Sequence, residues 1–247
     1  MNLFDEIAPA PKKVMTLFYL VDSSGSMFGD KIGKVNSAME EAIIHDLPDM
    51  ASANDDAEIN VAILEFNSGC RWKTPESGPA PLGSITWDTL SAGGITDMGA
   101  AFRELDSKLS TKAFLKTTTG AYAPVLLLLS DGGPTDDWKS GLAQLKNNNW
   151  YKNGIKIAIA IGNDADINVL SEFTGNKEAV INVNDKDVLY HLIKKVSVRA
   201  SAFQSHSKGA GDVDTTPEED SAKIVQEVKQ EMIDDPNIQT TDDWGTW

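Results

Sequence analysis

A single cysteine, Cys70, stands in the 247-residue sequence, which excludes any disulfide within the chain and suits a reducing compartment. Apolar runs are short, and none approaches the roughly 20 residues that span a bilayer. The opening MNLFDEIAPAPKK carries Asp5 and Glu6 and lacks the apolar core of a secretory signal, so a cytoplasmic protein with no membrane partner is expected. Bases are scarce as well. Lys and Arg number 22 against 37 Asp and Glu, a formal net charge of −15, which argues against nucleic acid as a partner because phosphate neutralisation needs a basic face. His45, His191 and His206 are the three histidines, and each is expected at a helix end, on the surface or in a linker. The phosphate-cradling pattern GxxxxGK[ST] is missing, which removes the P-loop nucleotide hydrolases.

What is present has the balance of a globular domain, with 41% hydrophobic and 24% charged residues. Val14 to Val21 reads VMTLFYLV, apolar without alternation, as in a strand covered on both faces. Further strands are expected at 58–66, near 82–85 at an edge, at 124–129 in the sheet centre, at 155–161 and at 179–183. Between them, apolar residues recur at helical spacing: Ile32, Val35, Met39, Ala42 and Ile43, then Met98, Phe102, Leu105 and Leu109, then Trp138, Leu142 and Leu145. Two more helices are expected at 167–173 and 187–198. This alternation predicts an α/β fold, a doubly wound, mostly parallel central sheet with helices on both faces. Residues 1–13 read as a leader, 14–200 as the body, 201–216 as a linker and 217–247 as an acidic tail. From Ser205 onward there are three bases and eleven acids, just over half of the net charge.

In such sheets ligands bind beyond the carboxyl ends of the strands, at the switch point of strand order. The first strand runs into Asp22-Ser23-Ser24-Gly25-Ser26, whose alternate residues offer one carboxylate and two hydroxyls. The central strand runs into Ser130-Asp131-Gly132-Gly133, and Ser91-Ala92-Gly93-Gly94-Ile95-Thr96-Asp97 brings Thr96 to a helix start. These are hard oxygen donors of the kind Mg²⁺ and Ca²⁺ prefer. Each segment alone reads equally well as a helix cap with turn glycines. Three together at one sheet edge do not.

Asp22-x-Ser24-x-Ser26, Gly93-Gly94-Ile95-Thr96-Asp97 and Leu129-Ser130-Asp131-Gly132 together resemble the von Willebrand factor A domain family over roughly residues 14–200. The resemblance implies a Rossmann-like fold and a metal-ion-dependent adhesion site (MIDAS), with Asp22, Ser24, Ser26, Thr96 and Asp131 at its five ligand positions. It further implies that Thr96 and Asp131 exchange direct and water-mediated contact. Three hydroxyls and two carboxylates make a ligand set of low charge, which favours Mg²⁺, with Mn²⁺ or Ca²⁺ as substitutes. A partner's Asp or Glu would complete the shell. The acidic form is similar to the bacterial TerY-like group associated with tellurium resistance, which implies a Ser/Thr kinase-like protein and a PP2C-type phosphatase as partners. Two alternatives stand: an accessory subunit of an AAA+ ATPase of chelatase or MoxR type, and a metal-assisted phosphoester hydrolase. The second lacks a candidate general base, so no enzyme is expected.

In the tail, Thr216-Pro217-Glu218-Glu219 has the form of a capping box, and Ile224, Val225, Val228, Met232 and Ile233 then share one helix face. That face either packs back on the body or docks a partner. Trp244 and Trp247 in a polar stretch are candidate partner anchors, and Thr215, Thr216, Thr240 and Thr241, beside acids, are candidate phosphosites.

Overall fold

A computed structural model describes residues 11–75, 77–205 and 215–235. In chain order, β1 (Lys13–Asp22) leads through a 3₁₀ turn (Gly25–Met27) to α1 (Asp30–Glu40), and α2 (Leu47–Ala53) follows. Next come β2 (Ala57–Asn67), β3 (Gly69–Trp72), β4 (Ala80–Pro81), α3 (Met98–Lys108) and β5 (Val125–Ser130). α4 (Trp138–Leu145), α5 (Asn149–Asn153), β6 (Ile155–Ile161), α6 (Ile167–Thr174) and β7 (Val180–Val183) precede the two long helices α7 (Lys186–Ser205) and α8 (Pro217–Ile233). Between α1 and α2 the backbone widens to a π-type stretch, Glu41–Asp46. Pro48 follows closely and brings no N–H to the helical ladder, a known cause of such breaks.

The sheet has the order β3-β2-β1-β5-β6-β7, with β4 also on β2. β1, β2, β5, β6 and β7 run parallel, while β3 and β4 pair with β2 antiparallel. Strand order reverses between β1 and β5, so their carboxyl ends form the switch point. β1 shows why its sequence lacks alternation. Leu17, Tyr19 and Val21 pack toward α1, α7 and α8, and Phe18 and Leu20 pack toward α3, α4 and α6, in two separate apolar cores.

Two expectations need correction. The short edge strand expected near 82–85 lies just before it, at Ala80–Pro81 on β2, with Leu82–Ser84 a 3₁₀ turn, and a further edge strand, Gly69–Trp72, forms a hairpin with β2. Helix α7 runs on to Ser205, so the segment from 201 is helix rather than linker. Of the two readings of the α8 stripe, packing back on the body holds: Ile224, Val225, Val228 and Met232 are buried in the same core as α1 and α7. The capping box at its start is as the sequence predicts, with Glu219 N–H donating to Thr216 Oγ1 and Thr216 N–H to Glu219 Oε2. No described helix is long and apolar enough to cross a membrane.

Candidate metal centre

Strand β1 ends on Asp22, whose side chain is fully buried. Its Oδ1 accepts from Ser24 N–H at 2.8 Å and its Oδ2 from Ser130 Oγ at 2.5 Å. No basic side chain pairs with it among the described residues. Burial therefore pushes its pKa up, against the opposing pull of the Ser130 and Ser24 hydrogen bonds. A buried carboxylate held by neutral donors alone is an anion in search of a cation.

Beyond Asp22 the chain turns through Ser24 and Ser26. Their hydroxyls lie 3.1 Å apart, and Ser26 Oγ donates to Asp131 Oδ1 at 3.0 Å. Asp131, just after β5, is brought there because β5 lies parallel beside β1, with Val21 opposite Leu129. Gly132 follows at φ +71°, where a Cβ would meet Asp166 O at 2.9 Å, so only glycine allows this turn. Four predicted ligands, Asp22, Ser24, Ser26 and Asp131, thus form one connected cluster from two strand ends.

Thr96 arrives on a third segment. Gly25 N–H donates to Gly94 O at 3.1 Å and Gly93 N–H to Ser23 O at 2.9 Å, which ties this loop to the first. Thr96 is buried and bonded by backbone to Thr135, whose own N–H donates to Thr96 O at 2.9 Å. No hydrogen bond joins Thr96 Oγ1 to the other four residues. It stands in the neighbouring loop, beside the cluster.

The alternative that these residues merely cap helices fails on geometry. Ser24 precedes the 3₁₀ turn without a side-chain cap bond, and the N-cap of α1 is Gly29, not a serine. The start of α3 is capped from another loop, by Asp136, whose two oxygens accept from Gly99 and Ala100 N–H at 2.9 Å each. The serine hydroxyls point at each other and at Asp131 instead.

Several participants escape a sequence reading. Ser130 clamps Asp22 and also accepts from Gly132 N–H at 2.8 Å. Ser23 donates to the buried Glu65, which Arg71 pairs at 2.7 Å. Lys31, from α1, places its ammonium 3.0 Å from Asp131 Oδ2 and 2.7 Å from Asp164 Oδ1. Partial burial works to lower the Lys31 pKa, but the bonds to Asp164 and Asp131 outweigh it and raise it. The amphipathic start of α1 carried no signal for this role, since a lysine there reads as an ordinary solvated charge.

The donor set fits a small hard cation. Two carboxylates and clustered hydroxyls from separate segments offer oxygen alone, and the Lys31 ammonium already satisfies part of the demand for positive charge at Asp131. Asp22, Ser24, Ser26, Thr96 and Asp131 would hold the ion. Elsewhere, His45 lies in the π-type stretch and His191 in α7 beside Tyr190, neither with a hydrogen bond to the cluster, and His206 falls outside the described residues. The Cys70 thiol, half-buried in β3, is pushed up to about 11 by burial and by Glu104, which leaves it protonated near neutrality.

Three solved structures share this arrangement of strands and helices. A von Willebrand factor type A protein from Catenulispora acidiphila superposes with a TM-score of 0.54 at 18% identity, covering 76% of this chain and 43% of that one. The chain has the von Willebrand factor A fold. Proximal thread matrix protein 1 from the mussel byssus, with a zinc-occupied MIDAS motif, gives 0.57 at 16% identity over 77% of this chain and 48% of that one. Manganese-loaded Plasmodium vivax TRAP protein gives 0.51 at 20% identity over 72% and 71%. The chain thus spans less than half the length of the first two. No family model matches the sequence, and a sequence comparison with curated proteins gives no match.

Of the tail sites, Thr216 spends its hydroxyl on the α8 cap and Thr215 Oγ1 donates to Asp220 at 2.6 Å. Thr240, Thr241, Trp244 and Trp247 lie outside the described residues.

Proposed function

We propose that the chain is a non-enzymatic, metal-dependent protein-binding module that captures an acidic residue of a partner through a MIDAS-held divalent cation. Mg²⁺ is the cation this donor set favours, with Mn²⁺ or Ca²⁺ able to replace it, since the ligands are two carboxylates and hydroxyls. The observation that carries the reading is the buried Asp22, which has no basic side-chain partner among the described residues and is joined through Ser24 and Ser26 to Asp131. Structures of the same fold bind zinc or manganese, by their own descriptions, which supports a divalent ion here. The protein supplies the geometry: Ser130 fixes the Asp22 carboxylate, Lys31 fixes Asp131, and the Gly25–Gly94 bond holds the Thr96 loop against the serine turn. The bound cation would supply an electrophilic centre for an incoming carboxylate. The resemblance to the TerY-like group supports a cytoplasmic adaptor in a bacterial tellurium-resistance-type stress system, with a Ser/Thr kinase-like protein and a PP2C-type phosphatase as partners.

Titration calorimetry with MgCl₂ tests the metal site. Wild-type protein binds one ion, and Asp22→Ala abolishes binding while the far-ultraviolet circular dichroism is kept. Capture of a partner that survives EDTA unchanged would refute the bridging mechanism.

A further inference from the structure

Three large apolar side chains stand exposed among the described residues: Phe28 at 80%, Ile95 at 52% and Ile233. Two of the three sit on the loops that bracket the candidate metal site. Phe28 lies two positions beyond Ser26, and Ile95 is adjacent to Thr96. Both are held by defined backbone bonds. Phe28 N–H donates to Gly25 O at 3.2 Å, and Ile95 N–H donates to Ser68 Oγ at 3.2 Å. The Gly25–Gly94 bond joins the two loops at their bases. Gly94 itself has φ +73° and lies so close to Ser68 that a Cβ there would meet its Oγ at 2.4 Å, so the turn that presents Ile95 requires glycine. Lone exposed apolar residues are common on any surface, but two large ones fixed at the rim of one ligand site mark an interface.

We propose that Phe28 and Ile95 are the apolar anchors of a composite dock. Its occupant is a segment of another protein carrying one Asp or Glu with an aromatic or branched aliphatic side chain within two positions. The proposal rests on the metal-bridging reading and specifies what that site selects. Asp22 and Asp131 balance a divalent ion, and the Lys31 ammonium is shared between Asp131 and Asp164, so the loaded edge is close to neutral. A carboxylate would therefore be drawn by the cation's remaining coordination position, at an edge less negative than a chain that carries −15 as a whole. A carboxylate in polar surroundings gains the metal contact alone. One beside an aromatic or aliphatic neighbour also takes Phe28 and Ile95 out of water, and that cover keeps water from the metal–carboxylate contact.

The test pans a displayed library of random decapeptides on the full chain in MgCl₂ and elutes with EDTA. The expected clones carry a single acid with a large apolar residue within two positions. A synthetic peptide from them binds the Phe28→Ser/Ile95→Ser variant about 10- to 100-fold more weakly, while that variant's calorimetric Mg²⁺ affinity stays at the wild-type value. Clones whose acid is flanked by polar residues, or a double variant that binds the peptide undiminished, overturn the anchors and leave metal bridging intact. A consensus reproducing Asp242-Asp243-Trp244 of this chain overturns the choice of occupant and assigns the dock to a second copy. Clones that only denaturant removes, from protein that does bind Mg²⁺, overturn metal bridging and the dock with it.

Discussion

The two ends of the sheet bury charge in opposite ways. At the carboxyl edge, Asp22 is fully enclosed with neutral hydrogen-bond donors and no basic partner among the described residues. At the amino end of β6, Lys156 is 1% exposed, yet its ammonium meets Glu218 Oε1 of α8 at 3.1 Å and the carbonyls of Tyr151 and Gly154 at 3.2 and 3.0 Å. It also lies 5.2 Å from the centre of the Tyr151 ring. The lysine is compensated from within the chain, which fastens α8 to the sheet. The aspartate meets only neutral donors, and in the proposed reading an outside cation completes its compensation. A closed charge pair serves the fold, and the proposed function assigns the open one to a ligand.

The widest separation between the two ends should come from metal-linked stability. With Mg²⁺ at about 100 times its dissociation constant, unfolding of the wild type should cost about 2.7 kcal/mol more than in EDTA. Asp22→Asn should gain none of this, and Glu218→Gln should gain all of it, as read by urea denaturation. A Glu218→Gln protein that fails to respond to Mg²⁺ would break the independence of the two ends.

Next in size is the closed pair itself. Glu218→Gln leaves the buried ammonium with carbonyls alone, and the expected loss is about 1–3 kcal/mol, less than for a wholly buried pair because Glu218 is 37% exposed. Asp22→Asn in EDTA should cost much less, since no ion pair is broken there. Equal losses at both positions would erase the contrast.

The pH dependence is smaller. Burial holds the Lys156 pKa below its usual value, against the upward pull of Glu218. The unfolded chain then binds more protons than the folded one between the lowered pKa and the ordinary value near 10.4, so stability rises with pH across that window. Relative to Lys156→Met, the wild type should gain at most about 1.4 kcal/mol per pH unit there. Paired urea curves at pH 7.5 and 9.5 provide the measurement, and a relative loss at the higher pH would show that Glu218, not burial, governs the lysine.

The smallest effect concerns Lys31. Lys31→Met removes a positive charge from Asp131, and Mg²⁺ affinity should rise by roughly fivefold, the equivalent of about 1 kcal/mol for a partly exposed pair. Weaker Mg²⁺ binding would mean that Lys31 orients Asp131 more than it competes for it.

Much of this was legible in the sequence for identifiable reasons. β1, β2, β5 and β6 are apolar runs that only a doubly covered sheet can bury, and the capping box at Thr216 is a local pattern whose partners lie three residues apart. Asp22, Ser24 and Ser26 were visible because one short turn holds them, and Asp131 because it ends the most apolar strand. The edge strand at Gly69–Trp72 was missed because its pairing with β2, not its composition, makes it a strand.

By itself the sequence determined the layering, the switch point and the oxygen chemistry of its loops, since periodicity and residue type act over a few neighbouring positions. Tertiary structure alone decided that Ser130 would grip Asp22 and that Lys31 would reach Asp131 across 100 residues of chain. It alone seated α8 in the core, with Glu218 over Lys156. Those contacts depend on which faces meet once the chain has closed, and Coulomb and hydrogen-bond forces reward only groups that packing has already brought within a few ångströms.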